Sequence, residues 1–302
     1  MLLGHYANGN YIVEIYDDGT KFRVTGEDEF NPLFPESIDL KITNYCDIGC
    51  PWCHENSNLG GHHADLNAEF INTLHPYTEL AIGGGNPLSH PQLKEFLIRL
   101  KEKHIIANLT VNQKHFIANI DLLKELTSKK LIYGLGISLN SINADFMKAL
   151  DLFPGAVVHI IAGLTYEEEV EQLVEAGKPI LILGYKEFRR GKAVYSGTIE
   201  QQIYEMSEWL PKYFKKDSVI CFDNLALFQL NIKSKLDKNT WENFYMGDDG
   251  QFTMYIDLVE KKYAMSSTST RRSDIKEDIV PMFKHIRDMK YFDENYSFEA
   301  GM

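Results

Sequence analysis

The chain has 302 residues, 44% hydrophobic and 25% charged, with a formal net charge of −12 at pH 7. That length can bury the core of one large α/β domain or two smaller ones, and the acidic balance weighs against nucleic-acid binding, which needs a basic surface. No run of roughly 18 apolar residues is present, so no membrane span is expected, and the start reads as no signal peptide. A cytoplasmic setting is therefore expected, where clustered cysteines serve as metal ligands or redox groups rather than disulfides.

Residues 11–24, YIVEIYDDGTKFRV, alternate around Asp18-Gly19 and predict a β-hairpin. NPLFPES (31–37) breaks the pattern as a connector. From Ser37 short apolar runs alternate with amphipathic stretches. The runs are 37–43, 79–85, 105–112, 134–140, 156–163 and 178–186, and helices are predicted over 91–103, 116–128 and 167–176. This alternation predicts right-handed βαβ units and a parallel sheet, either doubly wound or a partial barrel. A helix is predicted over 198–214, a strand and short helix over 218–230, a hairpin over 248–268 and a terminal helix over 276–289 with Pro281 near its start.

Three of the four cysteines, Cys46, Cys50 and Cys53, lie in TNYCDIGCPWCHENS, directly after the first strand of the αβ series. Ligand sites of parallel α/β folds sit at the carboxyl ends of strands. Three readings compete. His54 could complete a Cys3His zinc set. CPWC (50–53) could be a redox pair. Three thiolates could hold an iron–sulfur cube with one iron left open.

The C-x3-C-x2-C spacing on that loop resembles the signature of the radical S-adenosylmethionine enzymes. The resemblance extends over roughly residues 37–190. It implies a partial parallel (β/α)6 TIM-like barrel over 37–230, an N-terminal β-hairpin extension over 1–36 and a C-terminal α+β cap over 231–302. It further implies a 4Fe-4S cluster on Cys46, Cys50 and Cys53, with S-adenosyl-L-methionine on the fourth iron. Its reductive cleavage would yield a 5′-deoxyadenosyl radical that abstracts hydrogen from substrate. AIGGGNPLSHP (81–91) is similar to the family's GGEP segment, which puts Gly83, Gly84 and Gly85 against the cofactor, with Asn86 standing where the family has Glu. LTVNQ places Asn112 at the third strand end. GISLNS resembles the SLD segment, with Ser138 and Asn140 on one face at period two. VVHIIAGLTYEE resembles GxIxGxxE through Ile161 and Gly163, and Gly184-Tyr185-Lys186 ends the sixth strand, where adenine lies in the family. Trp52, before the third cysteine, holds the family's aromatic position.

Polar residues aimed into the barrel are the substrate candidates: Lys41, His54, Glu55, Asn112, Tyr185 and Lys186, of which His54, Glu55 and Tyr185 are the candidate catalytic groups. RRGK (189–192) is a candidate for meeting an anionic group. Cys221, inside VICFD, is expected to be a buried inert thiol, and the lack of further cysteines implies no auxiliary cluster. The hairpin in 248–268 is expected to close over the barrel mouth and to offer an edge strand to a peptide. The substrate is therefore expected to be a peptide or protein side chain, and a flavodoxin or ferredoxin the reductant. Two alternatives stay open: the same chemistry on a nucleotide-like small molecule, and a non-catalytic protein whose Cys3His zinc clip serves partner binding.

Overall fold

The structure, a computed structural model, describes residues 1–214 and 219–299. Ser218, at the start of one expected strand, and residues 300–302 of the expected C-terminal region lie outside the described residues. At the N-terminus β1 (Leu2–Asn8), β2 (Tyr11–Tyr16) and β3 (Lys21–Thr25) form an antiparallel sheet in that order. The turn between β2 and β3 puts Gly19 at φ 86°, and the Asp18 carboxylate accepts from the Thr20 amide at 2.9 Å. β1 has no counterpart in the sequence-based expectation. Its Gly4 interrupts the apolar pattern because the Tyr77 ring fills the space where a Cβ would sit.

The second sheet holds β4 (Ser37–Thr43), β5 (Glu79–Gly84), β6 (Ile106–Asn112), β7 (Gly134–Ser138), β8 (Ala156–Ile161), β9 (Ile180–Leu183), β10 (Ile220–Phe222), β11 (Thr253–Asp257), β12 (Lys262–Ala264) and β13 (Ser273–Asp274). The order is β10-β9-β8-β7-β6-β5-β4-β11-β12-β13, parallel from β10 through β11. Each connection from β5 to β9 carries helix. Leu40, Ile82, Leu109, Ile137, Val158 and Ile182 are fully or nearly fully buried and share one core with Phe96, Leu97, Phe116, Leu126, Phe146 and Leu173 of those helices. The intervening strand residues face the other way, which at period two places Gly83, Thr110, Asn112, Ser138, His159, Ile161 and Leu183 on a common face. The expected helix over 116–128 is two, Gln113–Ala118 and Ile120–Ser128, joined at Asn119. The one over 198–214 ends at Trp209, where Pro211 forces a tighter turn. No helix among the described residues is long and apolar enough to cross a membrane.

Two expectations are corrected here. The hairpin of β11 and β12 does not lie over the strand ends as a cap. β11 docks in parallel on β4, with Tyr255 opposite Asp39 and Asp257 opposite Lys41, so the sheet runs across the expected boundary at residue 230. The physical reason is that Met254 through Asp257 are all buried, which marks a strand covered on both faces rather than an amphipathic edge. The exposed edge on this side is the two-residue β13. Cys221 is exposed, not buried: it stands opposite Leu181 on the edge strand β10.

The N-terminal sheet is tied to this core through Glu36, which is fully buried just before β4. Arg23 meets it at 2.8 Å, Lys21 at 3.2 Å, and the Tyr11 hydroxyl donates to it at 2.6 Å. Burial alone would raise the Glu36 pKa, but Arg23 and Lys21 hold it below the usual carboxylate range. Because β11 is internal to the sheet, Ile256→Ala should cost about 3 kcal/mol of global stability. Denaturant unfolding should keep a single transition for the variant; a separate early transition would mean that the C-terminal hairpin folds on its own.

Candidate functional site

The chain leaves β4 at Thr43 and returns over residues 44–63 in a loop that pairs with itself. Thr43 bridges His63 and Tyr45 bridges Asn58. The Cys46 amide donates to Asn58 O at 3.0 Å and the Cys53 amide to Cys50 O at 3.3 Å, while Gly49 takes φ 71° between the first two cysteines. Asp47, also between them, meets His115 Nε2 at 2.6 Å, which pins the loop to helix Gln113–Ala118. The three thiols are free, half-buried and line one cavity. Burial pushes the Cys46 and Cys50 thiols up, and the neighbouring Cys53 adds to both. Such thiols favour a cationic guest that takes them as thiolates.

Gly83, Gly84 and Gly85 form the wall next to the thiols. Gly84, at φ 113°, would put a Cβ 2.3 Å from Thr43 O, and Gly85 would put one 2.2 Å from Tyr45 O. The Gly85 amide donates to Thr43 O at 2.8 Å and the Asn86 amide to Tyr45 O at 2.7 Å. These glycines let β5 close onto the cysteine loop, whereas a Cβ on Gly83 would meet nothing within 4 Å and would project into open space.

The remaining walls come from strand ends. Asn112, Ser138, Leu139, Asn140, Ile161, Gly184, Tyr185 and Lys186 line the cavity together with Trp52 and His54. β7 ends at Ser138, so the period-two argument stops there and Leu139 faces the cavity as well. Asn112 Oδ1 also caps helix Gln113–Ala118 by accepting from the Lys114 amide at 3.0 Å. The Tyr185 hydroxyl donates to Gly191 O at 2.9 Å, and its backbone is held on both sides by the Gln229 amide at 2.8 and 3.0 Å.

Asn86, Gly163, Glu55, Lys41 and the RRGK residues 189–192 fall outside this cavity's lining. Asn86 caps the turn Pro87–Ser89, accepting from the Leu88 amide at 3.2 Å. Gly163, at φ 81°, packs on Ile199 and Ile203 of helix Gly197–Trp209. Glu55 turns away into a buried ionic cluster: it meets Lys41 Nζ at 2.9 Å and His54 at 3.4 Å, and the Tyr255 hydroxyl donates to it at 3.0 Å. Lys41 also meets Asp257 at 3.1 Å, and Arg272 meets Asp257 at 3.5 Å. Lys41 is 2% exposed, Glu55 7% and Asp257 0%, so each charge depends on its partners. Burial would raise the Glu55 pKa, yet His54 and Lys41 drive it far below the usual range. The arginines of RRGK are occupied: Arg189 donates to Glu55 O at 2.9 Å and meets Glu260, and Arg190 donates to Ser57 O at 2.7 Å.

The cavity also contains residues that the sequence-based reading passed over: Thr110, His159, Leu183 and Ser57. His159, on β8, makes no side-chain hydrogen bond among the described residues, and its ring lies over Gly136, where a Cβ would be 2.3 Å from its Cε1. Burial brings its pKa down to about 4. The signal was its place at period two beside Ile161.

Three free thiols lining one cavity are donors that could hold an iron–sulfur cluster, and with His54 they do not form a compact tetrahedral zinc set. Zinc–sulfur bonds of about 2.3 Å put tetrahedral ligands ~3.8 Å apart. Among the described residues, the group of three candidate ligand atoms lying within 4.8 Å of one another is Cys46, Asp47 and His115, not the three cysteines with His54.

Among solved structures the chain is similar to Streptococcus suis SuiB bound to precursor peptide SuiA, at 14% identity and TM-score 0.57, over 83% of this chain and 65% of SuiB. It is similar to SuiB bound to S-adenosylmethionine at 13% and 0.55, over 80% and 64%. It is also similar to anSMEcpe with bound AdoMet and Cp18Cys peptide, at 12% and 0.56, over 82% and 79%. The chain thus spans about two thirds of the length of SuiB, and the shared property is the fold. No sequence-family model and no curated protein sequence matches the chain.

His159 titrates in a testable window. Its folded pKa of about 4 lies below the ordinary 6.5, so between those values the unfolded chain binds more protons and stability falls as pH drops. His159→Gln should flatten the loss of stability measured by denaturant unfolding at pH 7 and pH 5. An unchanged slope would place the acid sensitivity elsewhere.

Proposed function

We propose that the protein is a radical S-adenosylmethionine enzyme acting on a peptide or protein side chain. The observation that carries this reading is the facing of Cys46, Cys50 and Cys53 by the Gly83–Gly85 segment across one cavity at the carboxyl ends of parallel strands. Support also comes from fold likeness to two proteins whose structures hold S-adenosylmethionine and a peptide. Cys46, Cys50 and Cys53 would hold a 4Fe-4S cluster, leaving one iron without a cysteine. Such a cluster would supply one electron to S-adenosylmethionine, whose C5′–S bond would break to release methionine and a 5′-deoxyadenosyl radical able to take hydrogen from substrate.

The chain's own residues bind, orient and exclude water. Gly83 leaves room for the methionyl end, and its carbonyl-bearing neighbours offer backbone acceptors. Ser138, Asn140 and Asn112 present polar atoms to the ribose and carboxylate, while Ile161, Leu183 and Trp52 supply apolar surface for adenine and shield the cluster. Lys186, held by Ser267 Oγ at 3.0 Å, and His54 stand at the substrate side. Tyr185, with its hydroxyl tied to Gly191 O, serves as a wall rather than an acid or base. A flavodoxin or ferredoxin would supply the electron, in a cytoplasmic setting.

Anaerobic reconstitution should load roughly four irons per chain, and Cys46, Cys50 and Cys53 changed together to Ala should abolish both iron absorbance and 5′-deoxyadenosine formation. Zinc at about one per chain without cofactor cleavage would instead support the structural clip. Gly83→Ala should leave folding and iron content intact but weaken S-adenosylmethionine binding about 10-fold or more, read by equilibrium titration. Such a change equals about 1.4 kcal/mol. Unaltered affinity would remove Gly83 from the cofactor site.

A further inference from the structure

Two buried polar atoms beside the thiols lack partners. Ser57 is 2% exposed, lines the same cavity as the three cysteines, and its Oγ has no hydrogen-bond partner among the described residues. Arg190 Nε is likewise buried and unpaired. The two are linked, because Arg190 Nη2 donates to Ser57 O at 2.7 Å across 133 residues of sequence. An unpaired buried polar group costs about 1–3 kcal/mol, so the Ser57 hydroxyl, on the cavity wall, calls for an acceptor that enters the cavity.

The turn that presents Arg190 is built to hold it there. Arg189 adopts φ 50° and ψ −120°, a strained conformation for a residue with a Cβ. Its guanidinium is fixed on Glu55 O at 2.9 Å, so consecutive arginines clamp carbonyls two residues apart, just after the third cysteine. Gly191 allows the approach: a Cβ there would lie 2.2 Å from Lys186 O and 3.3 Å from Trp52 O. The Ser57 hydroxyl is a donor, and the acceptors that would enter at this wall are sulfur atoms carrying negative charge.

We propose that Ser57 donates a hydrogen bond to a sulfur atom of the cluster held by Cys46, Cys50 and Cys53 and thereby raises its reduction potential, with Arg190 positioning Ser57 through its carbonyl. This rests on the proposed function. Donors to cluster sulfur stabilise the reduced, more negative state. Ser57 is therefore a tuning residue and Arg190 its positioning residue, acting on the electron rather than on substrate.

The test is an EPR-monitored redox titration of anaerobically reconstituted full chain, with iron content measured on each sample. Ser57→Ala and Arg190→Gln should each keep full iron and shift the midpoint potential to more negative values, with the double variant shifted no further than Ser57→Ala. Ser57→Thr, which keeps the hydroxyl, should restore the wild-type midpoint. If Arg190→Gln fails to fold, Ser57→Ala and Ser57→Thr alone decide the matter. Full clusters with unmoved midpoints would overturn the proposal. So would weakened S-adenosylmethionine binding at an unchanged midpoint, which would assign the donor to the cofactor. A wild-type chain that takes up no cluster overturns the proposed function itself, a result distinct from either.

Discussion

The carbonyls of Thr43 and Tyr45 lie so close to Gly84 and Gly85 that no side chain fits between them. That close approach places the cysteine loop and the end of β5 in one rigid unit. The Gly85 and Asn86 amides are spent on those same carbonyls, so the loop is stitched to the strand rather than packed loosely above it. Everything the cavity can do depends on this, because the thiols come from one side of the seam and the open space over Gly83 from the other. A positive φ at Gly84 makes the requirement conformational as well as steric.

A second fastening lies beneath the loop. Lys41 on β4 and Tyr255 on β11 converge on Glu55, two residues past Cys53, and Asp257 on β11 holds Lys41. Removing one member of such a buried cluster strands the others, so the cluster acts as a unit. It makes the C-terminal hairpin part of the site's foundation. Arg189 and Arg190 add to this hold through the carbonyls of Glu55 and Ser57. The loop after the cysteines is thus held by three distant segments, which preorganises the thiols before any guest arrives.

Much of this was legible in the chain itself. The six strands from β4 to β9 and their ends follow from apolar runs and helical periodicity, and the cysteine spacing and consecutive glycines mark the two walls directly. What failed did so for identifiable reasons. Asn86 and Gly163 match a motif by position, but the first is consumed by capping and the second by packing against a helix. Ser138 and Asn140 reach the cavity, though not by alternation, since the strand stops between them. The hairpin of β11 was misplaced because local pattern does not reveal which strand it will join. His159 and Ser57 were overlooked, and Arg190 was read only as a contact for an anionic group, because their significance lies in pairings across the fold: Gly136 under the imidazole, and one hydrogen bond spanning 133 residues.

The central claim is that three cysteines hold a cluster with one iron left open to S-adenosylmethionine. Mössbauer spectroscopy of iron-57-reconstituted protein, recorded with and without S-adenosylmethionine, tests it most directly. The expected result is that about a quarter of the cluster iron changes its isomer shift on adding the cofactor while the rest stays fixed. Four irons that remain unchanged by the cofactor, or iron that never assembles into a cluster, would contradict it.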